Sequence, residues 1–333
     1  MDSTLNQKQS RALGLCSGGL DSILSAMILR RQGIAVAWVA FETPFFSSEK
    51  SRNAAKAYGI PLTVRNITEI YLEMLRKPPC GYGQNMNPCM DCHALMFRLA
   101  GDMMVQEGFD FLFSGEVLGQ RPMSQTRPSL RYVEKHSGYA GRILRPLSAK
   151  LLEETIAEQT GLVDRDQLLA ISGRSRKPQI QLAREFGVVD YPAPAGGCLL
   201  TDPCYSKRLR DLFDHQAECS ESELHLLKYG RHYRLQNQDK VIVGRSQSDN
   251  EAIVKYRNSD NDTLIRLQSQ PGPVVLVPGP ARPETLMLAA SLCIGYSKLS
   301  DNTPAQVLLE HSGQLRGEKV LGIAPLLLKK SML

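Results

Sequence analysis

"RALGLCSGGLDSILSAMILRRQG", residues 11–33, joins an apolar run to a helix-patterned stretch through Ser17-Gly18-Gly19. A glycine turn that opens a helix presents backbone N–H groups and the positive end of the helix dipole, which together suit a phosphate. Gly18 and Gly19 let the backbone approach a ligand closely, while Ser17 and Ser22 add hydroxyl donors. Asp21 is the odd member; an acid beside phosphate makes sense where it helps to hold Mg²⁺. The lysine that Walker-type loops send to the β- and γ-phosphates is absent. On spacing alone, a strand-to-helix turn with serine capping explains these residues as well as a phosphate site does.

Outward from this stretch, strands and helices alternate. "ALGLC" (12–16) and "IAVAWVAFE" (34–42) read as strands, as do "PLTVRNIT" (61–68), "FDFLFSGE" (109–116) and "GRILRPL" (141–147). Helix-patterned segments at 20–32, 47–58, 69–76 and 92–107 separate them. The alternation predicts a doubly wound, mostly parallel α/β sheet that binds ligands beyond the carboxyl ends of its strands. Ser17–Ser22, Glu42–Phe46 and Ser114–Gln125 each follow a strand and are expected in one crevice. Residues 151–190 read as helices broken by glycines and include a basic patch, "SGRSRKPQ" (172–179). The Pro/Gly-rich "YPAPAGGCLLTDP" (191–203) reads as loop, and composition changes near Tyr229. The expected division is a nucleotide-binding domain over 1–190, a loop and helical linker over 191–228 carrying Cys198, and a smaller α+β domain over 229–333.

The 333 residues suffice for two domains, and 42% hydrophobic with 22% charged content places the chain among soluble globular proteins. No apolar run is long enough to span a bilayer and "MDSTLNQKQS" is polar, so a cytoplasmic location is expected rather than a membrane or secreted one. A net charge of +6 permits a polyanion such as RNA without requiring one. Eight cysteines without a signal peptide suggest a reducing compartment, where close pairs more often mean metal or redox chemistry than disulfides.

Ser-Gly-Gly-Leu-Asp-Ser after a strand resembles the pyrophosphate loop of the PP-loop ATPases, which share the adenine-nucleotide alpha hydrolase-like fold. That family splits ATP between the α- and β-phosphates, which would account for the missing lysine. "TPFFSSEKSRNAAKAYGIPLTVRNIT" (43–68), "NPCMDCHALMFRLAGDMM" (87–104), "SGEVLGQRPMSQT" (114–126) and "LRPLSAK" (144–150) resemble, in order, the catalytic domain of tRNA 4-thiouridine synthetases. More broadly they resemble the tRNA 2-thiouridylases, over about Arg11 to Pro203. The resemblance implies ATP and Mg²⁺ held by Ser17, Gly18, Gly19, Asp21 and Ser22. It also implies Phe41 beside the adenine, Gly115 and Gln125 lining the nucleotide pocket, and tRNA as partner. His93 stands where those enzymes usually carry an arginine, and "RPM" lengthens the stretch before Ser124-Gln125 by one residue. The first strand begins close to Met1, so an N-terminal RNA-binding extension is not expected. A PP-loop ligase or amidotransferase acting on a small molecule, and a non-catalytic RNA-binding protein with a zinc site, are the alternatives.

Replacing a uridine carbonyl oxygen by sulfur requires the oxygen to leave. Adenylation turns it into AMP, after which a sulfur nucleophile attacks the ring carbon. Cys89 and Cys92 form the only C-x-x-C, at the start of a helix pattern where the dipole favours thiolate. Cys198, in "AGGCLL", falls at the position of the second catalytic cysteine of the thiolase families. Two sulfur carriers follow from the resemblance. The favoured one is a [4Fe–4S] cluster on Cys89, Cys92 and Cys198, with an open iron for hydrosulfide. The other is a cysteine persulfide, loaded by a cysteine desulfurase or sulfurtransferase relay and resolved by a second cysteine. Structural zinc with His93 or Cys80 as fourth ligand is the bland reading. Cys16, Cys204, Cys219 and Cys293 are read as structural, with Cys204, six residues from Cys198, the first candidate for an exception. Glu116 and Asp91 are candidate acids or bases, with capping or solvated roles beside them.

"KVIVGRSQSDNEAIV" (240–254), "DTLIRLQSQPGPVVLV" (262–277) and "LMLAASLCIGYSKLSD" (286–301) resemble the RNA-binding domain of the NFACT proteins. Arg231, His232, Arg234, Lys240, Arg245 and Arg266 are expected to reach phosphates and Tyr233 to stack on a base, against the alternative of a solvated basic face.

Overall fold

The structure is a computed structural model that describes residues 9–193, 197–299 and 304–333. The chain forms two compact units, Met1–Thr201 and Asp202–Leu333. In the first, strands β1 (Arg11–Leu15), β2 (Ala35–Glu42), β3 (Leu62–Asn66), β4 (Phe111–Ser114) and β5 (Ile143–Leu144) alternate with helices. These are α1 (Leu20–Arg31), α2 (Glu49–Tyr58), α3 (Thr68–Arg76), α4 (Cys89–Glu107) and α5 (Arg127–Ser137), and α6 (Ile156–Gln159) and α7 (Lys177–Glu185) follow. All strand pairs are parallel, in the order β3-β2-β1-β4-β5. The chain winds outward from β1 to β3 and then crosses back to β4. The loops after β1 and β4 therefore part at a topological switch point, where ligands of such sheets sit.

The expected α/β fold is thus the observed one, and its core explains it. Ile23, Leu24, Ile28 and Leu29 of α1 pack with Ala12, Trp38, Phe111 and Phe113 of the sheet, while Leu182 and Ala183 of α7 join the same core. An apolar helix buried on most sides needs cover from both directions, and the sheet and α7 supply it. Helix α5 is absent from the sequence reading because its buried face shows only Leu130 and Val133 as large apolar residues. Thr126 starts it by accepting the Ser129 N–H, with Pro128 in the first turn. Residues 151–190, read as broken helices, hold α6, a 3₁₀ turn over Arg165–Gln167 and α7.

The second unit begins with α8 (Pro203–His215) and α9 (Glu221–Leu226). Strands β6 (Arg231–Arg234), β7 (Lys240–Val243), β8 (Thr263–Leu267), β9 (Val275–Val277), β10 (Ala305–His311) and β11 (Gln314–Val320) form an antiparallel sheet in the order β11-β10-β8-β9-β7-β6. Helices α10 (Gln247–Tyr256) and α11 (Pro283–Gly295) are inserted between strands, and α11 buries Ala289, Leu292, Cys293 and Ile294 against the sheet. Among the described residues no helix is long and apolar enough to cross a membrane.

Candidate functional site

The turn after β1 is built around two glycines with opposite duties. Gly18 has φ +70°, and a Cβ there would lie 2.2 Å from the Lys50 carbonyl carbon, so only glycine fits against α2's first turn. Gly19 has φ −84° at the N-cap of α1, and a Cβ there would meet nothing nearer than Ser17 Oγ at 3.5 Å. No side-chain cap bond reaches into α1, and serine bonding is confined to the turn itself, where Ser17 Oγ accepts from the Gly19 N–H at 3.4 Å and Ser22 Oγ from the Ser17 N–H at 3.3 Å. Ser17 Oγ and Ser22 Oγ also bond each other at 2.9 Å. The start of a twelve-residue helix is left open beside exposed Ser17.

Asp21 completes this corner. Gln120 Nε2 donates to its Oδ2 at 2.9 Å, while its buried Oδ1 has no partner. Burial lifts its carboxyl above the ordinary aspartate range, against the pull of the Gln120 amide and the charges of Arg176 and Arg121. An orphaned carboxylate oxygen beside an open helix start suits a divalent cation carried in with phosphates. The loop after β4 closes the other side: a Cβ on Gly115 would lie 2.4 Å from Ser22 N and 2.5 Å from the Asp21 carbonyl carbon. Gln125 is buried with its Oε1 unpartnered, and Phe41 is buried near the end of β2. Ser17, Gly18, Gly19, Asp21 and Ser22 thus stand together, with Gly115 directly against them.

The cysteines converge through a different set of contacts. Cys89 and Cys92 open α4. The Cys198 segment is pinned by Leu199 N donating to Phe45 O at 3.3 Å and by Asn85 Nδ2 donating to Thr201 O at 2.9 Å. Thr201 Oγ1 and N both donate back to Cys198 O. Tyr71 is fully buried against Phe45 and Phe46 with its hydroxyl beside Cys92 but without a formed hydrogen bond, and the Cys198 and Cys89 thiols lie near enough to act on both. Desolvation, reinforced by Cys198 and Cys89 against the Tyr71 hydroxyl's opposing pull, pushes Cys92 up to about 12. Cys198 is also raised, by burial first. Asn87 Nδ2 approaches Cys89 Sγ at 3.4 Å. Among the described residues, however, no three His, Cys, Asp or Glu side chains are grouped to hold a metal ion. The three thiols are neighbours and not a formed ligand set, for iron or for zinc.

A buried charge network links the two corners. His93 Nδ1 meets Glu116 Oε1 at 2.9 Å, and Arg145 Nε donates to Glu116 Oε2 at 3.0 Å while its other arm binds Glu134. Burial would raise Glu116, but the Arg145 and His93 charges and hydrogen bonds hold it down at about 2. It is an ionised strut at neutral pH and cannot act there as a general acid. Asp91 accepts from Cys80 N at 2.9 Å and from Tyr132 Oη at 2.8 Å, which fixes the turn before α4. Cys16 is core, as expected.

In the second unit four of the expected RNA contacts are corrected: Arg234 spends its guanidinium on both Asp211 oxygens, at 2.9 and 2.7 Å, and on Gln238 O, and three others are buried. His232 is 0% exposed and bonds Tyr229 O through Nε2, Lys240 is buried on Asp211, and Tyr233 is buried with its hydroxyl on Tyr296. They tie β6 to the turn after α9 and to the end of α11, and β7 to α8. Arg245 and Arg266 are exposed, and Arg231 lies over the Tyr296 ring at 4.5 Å.

Comparison with known proteins finds two family matches. Residues 7–162 match the family described as "Thiamine biosynthesis protein (ThiI)", and residues 230–326 match "NFACT protein RNA binding domain". Two curated proteins named "Probable tRNA sulfurtransferase" are similar. That of Oceanobacillus iheyensis is 28% identical over 44% of this chain and 37% of its own length, and that of Lacticaseibacillus casei is 31% identical over the same shares. The chain spans little more than a third of these relatives. A solved "4-thiouridine synthetase - RNA complex with bound ATP" aligns at TM-score 0.34 and 21% identity, over 54% of this chain and 52% of its own. Both resemblances read from the sequence are thus found again, each on its own segment.

Proposed function

We propose that the chain is an AMP-forming tRNA sulfurtransferase. A uridine carbonyl oxygen of tRNA attacks the α-phosphorus of ATP, the bond between that phosphorus and the bridging oxygen breaks, and pyrophosphate leaves with the electron pair. The turn from Ser17 to Ser22 holds the phosphates through the backbone N–H groups at the start of α1. Asp21 would hold Mg²⁺, which supplies charge neutralisation for the leaving group when bound. Phe41, Gly115 and Gln125 would line the nucleotide. The observation that carries this reading is the open glycine-lined helix start lying in the same unit as three convergent thiols.

The sulfur step runs through Cys89, Cys92 and Cys198 themselves. The terminal sulfur of a cysteine persulfide attacks the ring carbon and AMP departs with the carbon–oxygen bond. A second cysteine then attacks the carrier sulfur, freeing the thiouridine and leaving a disulfide that an external thiol reduces. The persulfide must come from a separate sulfur donor. Cys92, with its thiol held protonated in burial, is poorly set to act as the resolving nucleophile. A [4Fe–4S] cluster on the same three thiolates is the alternative carrier. Its donor types fit, but its spacing has first to close, so no step is routed through it; iron and labile-sulfide content after anaerobic purification decides between the two.

The test is nucleoside mass spectrometry of unmodified tRNA incubated with the protein, ATP and a persulfide donor. A uridine gaining one sulfur for one oxygen, only with ATP present, is the expected result. An amide or other acyl product on a small molecule would move the reading to the ligases.

A further inference from the structure

Residues 172–179 lie outside both matched segments. Backbone pairing places them. Gly173 N donates to Leu118 O at 2.8 Å, Leu118 and Ser172 form a parallel bridge, and Ser148 Oγ donates to Ile171 O at 2.7 Å while accepting from Leu118 N at 3.0 Å. This strap runs beside the loop after β4, and α7 then starts against α1. Arg176 on the strap and Arg121 on the loop both act on the Asp21 carboxylate.

Here polar groups outnumber partners. Gln179 is 0% exposed; its amide faces and acts on the Asp21 carboxylate, yet neither its Nε2 nor its Oε1 makes a well-formed hydrogen bond. Arg176 Nε, Gln120 Oε1 and Asp21 Oδ1 are also buried and unpartnered. A buried donor or acceptor left unmade costs on the order of 1–3 kcal/mol, so several in one place mark a surface waiting for a polar ligand. With Asp21 Oδ1 left to the cation, the unpartnered donors at this end of the site are Arg176 Nε and Gln179 Nε2, and a buried guanidinium and an amide donor suit an anion. The thiols gather by Phe45 and Tyr71, which follow β2 and β3, whereas the strap follows β5, beyond the opposite side of β1. In an in-line displacement the leaving group points away from the attacking one.

We propose that Arg121, Arg176 and Gln179 form a second wall of the phosphate site, which binds the β- and γ-phosphates of ATP and retains the pyrophosphate. This rests on the nucleotide reading above and adds residues to it. The full chain is titrated calorimetrically with ATP, AMP and inorganic pyrophosphate, each with Mg²⁺. Arg176→Ala is expected to weaken ATP and pyrophosphate by about tenfold or more, the usual scale for a charge-assisted contact, and to leave AMP unchanged. Arg176→Lys restores part of the loss. Gln179→Leu, which removes an unsatisfied amide, is expected to melt no lower than wild type while binding ATP more weakly. If Arg176→Ala binds all three like wild type, or loses AMP as much as ATP, the second wall is refuted and the glycine loop is untouched. A wild-type chain that binds neither ATP nor pyrophosphate overturns both readings together.

Discussion

Gly18 and Gly19 are neighbours in the sequence, yet alanine should harm them in opposite ways. At Gly18 the substitution forces a left-handed φ of +70° on an L-residue and drives Cβ to 2.2 Å from the Lys50 backbone. The conformational term costs roughly 1–2 kcal/mol and the overpacking another 1–3, for a loss of about 2–5 kcal/mol. For a unit of this size that lowers the melting temperature by roughly 4–20 °C. At Gly19 the backbone is already in an ordinary region and the nearest atom is 3.5 Å away, so only the N-cap preference for glycine over alanine is lost, about 1 kcal/mol or less. The new methyl would nevertheless stand at the open start of α1, where a phosphate has to approach the backbone. Differential scanning calorimetry with ATP titration separates the two effects. Gly18→Ala should be destabilised, and Gly19→Ala should fold like wild type while losing about tenfold or more in ATP affinity. If Gly19→Ala binds ATP normally, the turn is only a structural corner and the phosphate assignment is wrong.

Other substitutions probe the neighbouring residues. Because burial raises the Asp21 carboxyl above its unfolded value, the native state binds the extra proton, and this group's contribution to stability falls as pH rises through the ordinary aspartate range to the raised value. Asp21→Asn should remove that pH dependence in urea melts, leave the protein at least as stable at neutral pH, and abolish tRNA-dependent pyrophosphate release. Glu116 has the opposite sign: its contribution is full above the ordinary glutamate value and is lost as pH falls toward about 2. Glu116→Gln should cost about 3–5 kcal/mol in denaturant titration by leaving the buried Arg145 charge under-compensated, and a near-neutral result would mean that Glu134 alone suffices. Cys198→Ser should retain pyrophosphate release, measured by a coupled phosphate assay, while giving no thionucleoside; loss of both would place Cys198 in the fold and not in the sulfur step.

The core of the first unit was readable because its strands are short apolar runs and its crossover helices carry enough apolar residues to show a period. The glycine turn was readable as chemistry for the same local reason. Helix α5 was not, since two large apolar residues on a charged helix give no period. Strands β10 and β11 escaped because β11 is mostly exposed; the Ser312-Gly313 turn, with φ of 47° and 75°, is the signal that could have found them. The burial of His232, Tyr233 and Lys240 escaped as well, because strands covered on both faces bury successive residues, and composition reads such histidines and lysines as basic surface. The approach of Cys198 to Cys89 and Cys92 was legible only through resemblance, since more than a hundred residues separate it from them and two distant loop anchors, Phe45 and Asn85, hold it in place. The strap against Asp21 depends on tertiary contacts and left no mark beyond a run of arginines.

The most direct test is a product balance in one vessel: protein, ATP, unmodified tRNA and a persulfide donor, with nucleotides and nucleosides quantified together. One AMP should appear for each thiouridine formed, and neither without tRNA. ADP as the nucleotide product, or AMP released steadily with no sulfur entering the RNA, would show that the phosphate corner and the thiols do not serve one reaction.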